Sequence, residues 1–214
     1  MIIDIEGTDG CGKATQTKML FDYLCGLGKK CKIVSFPNYE SASSGPVKMY
    51  LNGDLGANNS LTGYQTSSLY AVDRLATMRQ INIKDYDYIL LDRYVPSNMI
   101  HQSTRIEDEE ELQEFLAWLV DFEYGKLRLP EPDVVLFLDV PVEISSRLAH
   151  ERAELKNGMA KDILEADDGH LAKAYAKAKF VANKYCWRTI KCDANNNILS
   201  KEEIHEKIKH ALNI

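Results

Sequence analysis

Residues 6–16, EGTDGCGKATQ, nearly match the loop that binds nucleotide phosphates. That loop has the pattern G-x-x-x-x-G-K followed by Ser or Thr, and Gly7, Gly12 and Lys13 match it. Small residues let backbone N–H groups point at phosphate oxygens, and a lysine adds a mobile charge for the outer phosphates. Ala14 departs from the pattern, because the hydroxyl normally found there helps to hold Mg²⁺. Two interpretations follow: a working phosphotransfer loop with an unusual metal site, or a nucleotide-binding loop without turnover.

The end of a later apolar run adds two more candidate residues. In YILLDRY, Asp92 and Arg93 come directly after the buried stretch. A carboxylate in that place can reach Mg²⁺ directly or through water, and an arginine can fork onto a phosphate. The alternative for this pair is a structural salt bridge at the end of a strand. Together with the glycine-rich loop, however, the pair favours a nucleotide site.

Composition and charge limit the classes of protein to consider. The chain has 214 residues, enough for one domain with a sizeable core. Its net charge of −6 argues against nucleic acid or an anionic membrane as the main partner, and no apolar run approaches the ~20 residues of a membrane helix. The five cysteines lack a C-x-x-C pair or a metal-binding spacing, which indicates reduced thiols in a cytoplasmic protein. Cys11 stands apart, because a thiol at a helix start can have a lowered pKa.

Short apolar runs alternate with helical patterns along the whole chain. Three of the five strand-like runs are nearly continuous hydrophobic stretches, which is typical of a parallel sheet covered by helices on both faces. Ligands of such sheets bind at the carboxyl ends of the strands, where the loop and Asp92 lie. Residues 195–197, NNN, are interpreted only as a loop. The predicted strands are residues 1–6, 31–36, 86–92, 133–139 and 187–192.

Two of the predicted helices have clear signatures. Ser200 and Glu203 form a capping-box pattern at the start of the last helix. Within residues 107–125, apolar residues recur on one helical face. The residues expected to be buried are Leu112, Phe115, Leu116, Leu119 and Phe122 on the earlier helix, and Ile204, Ile208 and Leu212 on the last.

Six segments in this order resemble the thymidylate kinase family: GTDGCGKATQ, FPNYESASSG, YLNGDLG, YQTSSLYAVDR, DRYVPSN and LPEPDVVLFLDVP. The resemblance covers nearly the full chain and is weakest at residues 150–185. It implies a single domain over residues 1–214 with the α/β P-loop NTPase fold: a five-stranded parallel sheet, helices on both faces, and a mobile lid at about 149–164. The implied reaction is ATP-dependent phosphorylation of dTMP to dTDP, with Mg²⁺ required and a homodimer as the usual assembly.

The resemblance also implies a role for individual residues. Asp9 would meet the sugar 3′-hydroxyl of the monophosphate, and Arg93 would clamp its phosphate. Tyr70 would stack on thymine, and Arg74, one helical turn later, would donate to the O4 atom of the base. Further residues implied to contact the monophosphate are Phe36, Tyr39, Ser97, Asn98 and Gln102. Those implied to bind ATP are Gly7, Thr8, Asp9, Gly10, Cys11, Gly12, Lys13, Ala14 and Thr15.

The predicted lid should supply a catalytic cation. One branch of the family carries an arginine at the place of Gly10, so this chain needs that charge from elsewhere. In phosphoryl transfer such an arginine is worth roughly 10³–10⁵ in rate. Arg152 is the leading candidate, although a solvated helix would show the same pattern. The catalytic residues implied in total are Lys13, Asp9, Arg93 and Arg152.

Mg²⁺ needs ligands that replace the hydroxyl missing at Ala14. Asp92 is the first candidate, and Asp9, Asp162 and Glu165 are further ones, because some relatives use such carboxylates near the acceptor phosphate. Two acids on a solvated helix would look the same as Asp162 and Glu165. Two alternative functions also stay open: a kinase for another nucleoside monophosphate or deoxynucleoside, and a nucleotide-binding protein without catalysis.

Overall fold

The computed structural model describes residues 1–57, 60–155 and 168–214, and places five parallel strands in one sheet with the order β2-β3-β1-β4-β5. This confirms the predicted five-stranded parallel sheet. Each strand differs from its predicted run by no more than two residues at either end. The strands are β1 (Ile2–Glu6), β2 (Cys31–Ser35), β3 (Tyr88–Asp92), β4 (Val134–Asp139) and β5 (Arg188–Lys191).

Helices connect the strands and cover both faces of the sheet. A π-helical segment, Asp121–Lys126, directly continues the fifth helix, and short 3₁₀ turns precede or follow several others. The helices are α1 (Lys13–Gly26), α2 (Gly45–Leu51), α3 (Gly63–Met78), α4 (Val95–His101), α5 (Glu109–Val120), α6 (Val142–Leu155), α7 (Asp168–Lys184) and α8 (Lys201–Leu212).

The central strand β1 contributes to a hydrophobic core on each face. Ile2 packs in the core with residues of α5, whereas Ile3 and Ile5 pack in the core with residues of α1 and α8. This alternation follows from the two-residue period of a strand. Asp4 and Glu6 share the face of Ile2, and both carboxyl groups are fully buried there. Strand β1 is therefore apolar on both faces, except for these two acids.

Strand register brings the predicted rim together. Ile5 of β1 pairs with Asp92 of β3 on one side and with Leu136 of β4 on the other. Because all these strands are parallel, the chain after Glu6 and the chain after Asp92 leave the sheet side by side. The glycine-rich loop and Arg93 are neighbours for this reason.

The helix signatures are confirmed with one difference. Ser200 and Glu203 form the predicted capping box, and the apolar residues of α8 are buried. On α5 the four leucine and phenylalanine residues at 112–119 are buried, but Phe122 is only half-buried and stacks on Trp118. Glu123 is the fully buried residue in this turn, because it lies four residues after Leu119 on the inward face.

The predicted loop at residues 195–197 is wrong in part. Two short antiparallel strands, β6 (Asp193–Ala194) and β7 (Asn197–Ile198), form a hairpin here. Asn195 and Asn196 form its turn with φ angles of 51° and 60°. Asparagine tolerates this left-handed conformation, which explains why a run of asparagines closes a hairpin.

The predicted lid stays untested. Residues 156–167 lie outside the described residues, and so do Asp162 and Glu165. Arg152 belongs to α6, but its side chain also lies outside the described part of the chain. Among the residues that are described, no helix has the length and apolar character needed to cross a membrane.

Candidate active site

The glycine-rich loop joins the end of β1 to the start of α1, as the sequence predicts. A Cβ atom on Gly7 would lie 2.6 Å from the Cys11 sulfur and 3.0 Å from the Leu138 carbonyl oxygen, so only glycine fits this close approach. Gly12 caps α1 with a φ of 91°, in the left-handed region that glycine adopts without strain. The loop therefore presents backbone N–H groups at a helix N-terminus, an arrangement that binds phosphate.

Lys13 lies inside the loop. Its ammonium group donates to the carbonyl oxygens of Gly7 at 2.7 Å and Thr8 at 2.8 Å, and the side chain is buried. The Cys11 sulfur, 3.8 Å away, is a third and weaker acceptor. All three acceptors are neutral, so they hold the Lys13 ammonium without neutralising its charge.

The first turn of α1 offers no obvious substitute for the missing hydroxyl. Ala14 and Thr15 are both exposed, and neighbouring helical residues point in directions about 100° apart. Thr17 is buried, but its hydroxyl donates to the Lys13 carbonyl oxygen at 2.9 Å. The neighbouring threonines therefore do not replace the hydroxyl that the loop pattern expects at position 14.

The expectation of a lowered pKa at Cys11 is wrong. The thiol is buried, and this burial raises its pKa more strongly than the nearby Lys13 charge lowers it. The Lys13 ammonium is 3.8 Å from the sulfur. Cys11 is therefore a packing residue under Gly7 rather than a reactive thiolate.

Asp9 and Arg93 meet across the mouth of the site. The Arg93 guanidinium donates to the Asp9 carboxylate, and its other terminal nitrogen lies 3.2 Å from His101 Nε2. Arg93 has a φ of 66°, a left-handed conformation that costs a non-glycine residue about 1–3 kcal/mol. Such strain is typical of residues held in place at functional sites.

Electrostatics fix the charge states in this group. Burial would raise the pKa of Asp9, but Arg93 and Lys13 outweigh it, so the pKa lies well below its usual range. Burial, with Arg93 and Lys13, lowers the pKa of His101 to about 3. At neutral pH, Asp9 is ionised and His101 is neutral, so its Nε2 can accept from Arg93.

A cavity of 190 Å³ opens beside Asp9 and Arg93. The structure brings every residue predicted to bind the monophosphate to its wall. Their individual roles stay predictions. The lining residues are Asp9, Phe36, Pro37, Tyr39, Leu51, Tyr70, Arg74, Arg93, Ser97, Asn98, His101 and Gln102.

Glu6 is a residue that the sequence interpretation missed. Its fully buried carboxylate accepts from the Tyr94 N–H at 3.0 Å and from the Ser97 hydroxyl at 2.7 Å. These bonds tie the end of β1 to the start of α4, directly after the strained Arg93. An acid at the last position of an apolar strand, just before a phosphate loop, was the only sequence signal for this role.

Glu123 was also missed. Its carboxylate is fully buried and forms a two-pronged ion pair with Arg74, with both N–O distances at 2.6 Å. No local pattern joins these residues, which are 49 positions apart. Arg74 therefore lines the cavity with part of its hydrogen-bonding capacity already used.

Comparison with known proteins decides the family. The family model described as Thymidylate kinase matches residues 5–208. The chain belongs to this family. It is therefore a nucleoside monophosphate kinase, as the six sequence segments predict.

Individual relatives agree with the family. This kinase is 32% identical over 170 residues to thymidylate kinase of Mycobacterium tuberculosis, with 78% of each chain covered. It is 31% identical to a probable thymidylate kinase of Methanococcus aeolicus, over 76% of this chain and 73% of the other. The structure of thymidylate kinase from Candida albicans has the same fold, with a TM-score of 0.71 at 19% identity, over 99% of this chain and 90% of that one.

Proposed function

We propose that this kinase transfers the γ-phosphoryl group of ATP directly to the phosphate of dTMP, which gives dTDP and ADP. The observation that carries the proposal is the cavity, because the residues implied to bind dTMP line it together. Its mouth, at Asp9 and Arg93, adjoins the phosphate loop that would hold ATP.

The cavity suits a pyrimidine. Phe36 and Tyr70 provide aromatic walls, and Arg74 provides N–H donors. A flat base needs a stacking surface on its face and polar groups at its edge, and the cavity offers both. Tyr39, Ser97 and Gln102 also line it and would contact the rest of the nucleotide.

The transfer requires positioning and charge neutralisation rather than a strong base. The acceptor is an anionic phosphate oxygen, so no proton has to be removed before it attacks. Backbone N–H groups of the loop and Lys13 would hold the ATP phosphates, and Arg93 would hold the acceptor phosphate. His101 is neutral at pH 7 and faces Arg93, which fits a contact residue of the cavity.

The residues present fit a magnesium ion bound mainly through phosphates and water. Mg²⁺ is commonly held by one or two carboxylates plus substrate oxygens. Asp9 has a side chain 34% exposed at the cavity mouth, and Asp92 is half-buried at the end of β3. The described residues contain no group of three or more metal-binding side chains, so Asp92 and Asp9 would act with the nucleotide. When bound, the ion would neutralise phosphate charge.

The segment at about 149–164 is proposed as a lid that supplies Arg152 and excludes water. Asp162 and Glu165 are proposed to help hold the metal near the acceptor phosphate. The comparison with relatives supports these assignments only through family membership.

We also propose that the kinase acts as a cytoplasmic homodimer, with ATP and dTMP as its partners and no part for nucleic acid or membrane. Its five cysteines are all free thiols, which fits a reducing compartment. The packed helices α2 and α3 expose Met49 and Val72, apolar side chains that a second copy could cover.

The direct test is ADP release from ATP and Mg²⁺, with dTMP, dUMP, dCMP, dGMP and AMP offered separately. Strong turnover with dTMP is the expected result. Preference for another monophosphate would overturn the assignment of the base pocket but would leave the role of the phosphate loop in ATP binding unchanged. No turnover with any of the five would favour a nucleotide-binding protein without catalysis.

A further inference from the structure

Glu123 touches two side chains of the nucleotide cavity although it does not line the cavity itself. We propose that Glu123 orients the two side chains that would hydrogen-bond to the edge of the base, so that Arg74 presents a donor and Asn98 presents an acceptor. It would thus be a positioning residue that determines preference for thymine over cytosine. This inference rests on the proposed dTMP kinase activity.

The first contact fixes the orientation of Arg74. Glu123 Oε2 accepts from Nε and Oε1 accepts from Nη2, each at 2.6 Å. Nη1 donates to the Tyr94 carbonyl oxygen at 3.3 Å. These bonds use one N–H on each nitrogen, so each terminal nitrogen keeps one further N–H. The remaining polar capacity of Arg74 is purely that of a donor.

The second contact fixes the orientation of Asn98. Its amide nitrogen donates to the Ser67 carbonyl oxygen at 3.3 Å and to Glu123 Oε1 at 3.3 Å. Since both acceptors take the NH₂ group, Oδ1 is the part of the amide left to bind a ligand. A side chain that is otherwise both donor and acceptor is thereby turned into an acceptor toward the cavity.

The resulting pair matches one pyrimidine edge and opposes the other. Thymine presents an acceptor at O4 beside a donor at N3–H. Cytosine presents the reverse, a donor at N4 beside an acceptor at N3. A donor at Arg74 with an acceptor at Asn98 therefore favours thymine. Uracil has the same O4 and N3–H as thymine and lacks only the methyl group, so these two hydrogen bonds would not distinguish thymine from uracil.

Only a carboxylate can orient both side chains at once. Both oxygens of the Glu123 carboxylate are acceptors, so they can accept from the N–H groups of Arg74 and Asn98 together. A glutamine has one oxygen and one NH₂ group, and its NH₂ group would face one of these donors. The backbone of Glu123 lies in the π-helical segment and is also held from outside it, because the Glu123 carbonyl oxygen accepts from the Leu129 N–H at 3.0 Å. Single π-turns of this kind occur frequently at functional sites.

The test replaces the carboxylate and measures binding of three nucleotides. Dissociation constants of dTMP, dUMP and dCMP are measured by titration calorimetry for the wild type, Glu123→Gln and the exposed control Glu114→Gln on α5. In Glu123→Gln we expect affinity for dTMP to fall about 10- to 100-fold and preference for dTMP over dCMP to fall at least about tenfold. The ratio of dTMP to dUMP affinity should stay within about twofold, and Glu114→Gln should match the wild type.

Other readouts separate this role from loss of structure. Affinity for ATP should be unchanged in Glu123→Gln, because the phosphate loop is intact. If that variant does not fold, Glu123→Asp keeps the charge but is too short for both partners, and the same loss of preference is expected. Equal losses for all three nucleotides, or an unchanged preference for dTMP over dCMP, would overturn the inference. A wild type that makes no dTDP from dTMP would instead overturn the proposed function, and this inference with it.

Discussion

The Arg93 guanidinium donates to the Asp9 carboxylate, and this ion pair joins the loop after β3 to the phosphate loop after β1. The two loops are neighbours because β1 and β3 are adjacent parallel strands. Glu6 holds the residue after Arg93 in place, because its carboxylate accepts a hydrogen bond from the Tyr94 N–H. An acceptor phosphate in the cavity would meet an arginine whose position is already fixed, although it would compete with Asp9 for the same N–H groups.

Replacement of Arg93 should therefore impair turnover more than ATP binding. We expect Arg93→Lys to lower kcat/KM for dTMP by about 10²-fold, because lysine keeps the charge but loses the planar fork. Arg93→Gln should cost about 10³-fold or more. Steady-state rates give both numbers, and the dissociation constant of ATP serves as the internal control. Turnover of the lysine variant at the wild-type rate would contradict the phosphate-clamp role.

A hydroxyl restored at position 14 should change the response to metal. Ala14 is exposed in the first turn of α1, so a larger side chain fits without a clash. We expect Ala14→Thr to lower the Mg²⁺ concentration that gives half-maximal rate by a few-fold, because it adds a ligand that this chain lacks. Ala14→Val is the matched control, with the same shape and no hydroxyl. Equal Mg²⁺ dependence in the two variants would show that the hydroxyl is not a ligand here.

Asp4 should make the protein less stable as the pH rises. Its buried carboxyl has no hydrogen-bond partner among the described residues, and burial, with the negative charges of Glu6 and Asp92, raises its pKa well above the usual value. The folded state then binds the proton more tightly than the unfolded state. Stability is highest below the unfolded pKa and falls as the pH rises toward the folded one, by about 1.4 kcal/mol for each unit of difference.

Asp4→Asn should remove this dependence. We expect the variant to be more stable than the wild type, by a margin that is larger at pH 8 than at pH 5, in urea unfolding at both pH values. Asp54→Asn on the surface controls for the loss of a charge by itself. A margin that is the same at both pH values would mean that Asp4 does not titrate as its burial implies.

The proposed dimer can be tested at Val72. This side chain on α3 is 52% exposed, and a buried charge in an apolar interface is costly. Light scattering should give about twice the chain mass of 24.3 kDa for the wild type and a lower mass for Val72→Glu. Leu27→Glu, an equally exposed apolar site after α1, should leave the mass unchanged. A measured mass of a single chain for the wild type would refute the dimer.

Local patterns in the sequence were enough to predict the phosphate loop and the strands. The glycines of the loop and the apolar runs act through short-range sterics and burial, which neighbouring residues largely determine. The residues around the cavity came from the resemblance of six segments, not from spacing alone. The hairpin at Asn195 and Asn196 was missed because asparagine in a left-handed turn resembles an ordinary loop.

The missed and mistaken residues depend on contacts between distant parts of the chain. Glu123 lies on an apolar helical face, and its ion pair with Arg74, together with the hydrogen bond from Asn98, stabilises a charge at that position. The position of Cys11 at a helix start suggested a lowered pKa, but burial in the core with Leu136 and Leu138 of β4 raises the pKa of this thiol instead. The burial of a side chain and the identity of its ion-pair partner depend on tertiary structure. The spacing of residues within one segment does not predict them.

The most direct test of the account follows the phosphoryl group itself. ATP labelled with ³²P at the γ position is incubated with the kinase, Mg²⁺ and dTMP, and the products are separated by chromatography. We predict that the label appears in dTDP, with one ADP formed for each dTDP and little label in inorganic phosphate. Label that stays in ATP, or passes to inorganic phosphate whether or not dTMP is present, would contradict direct transfer between the two nucleotides.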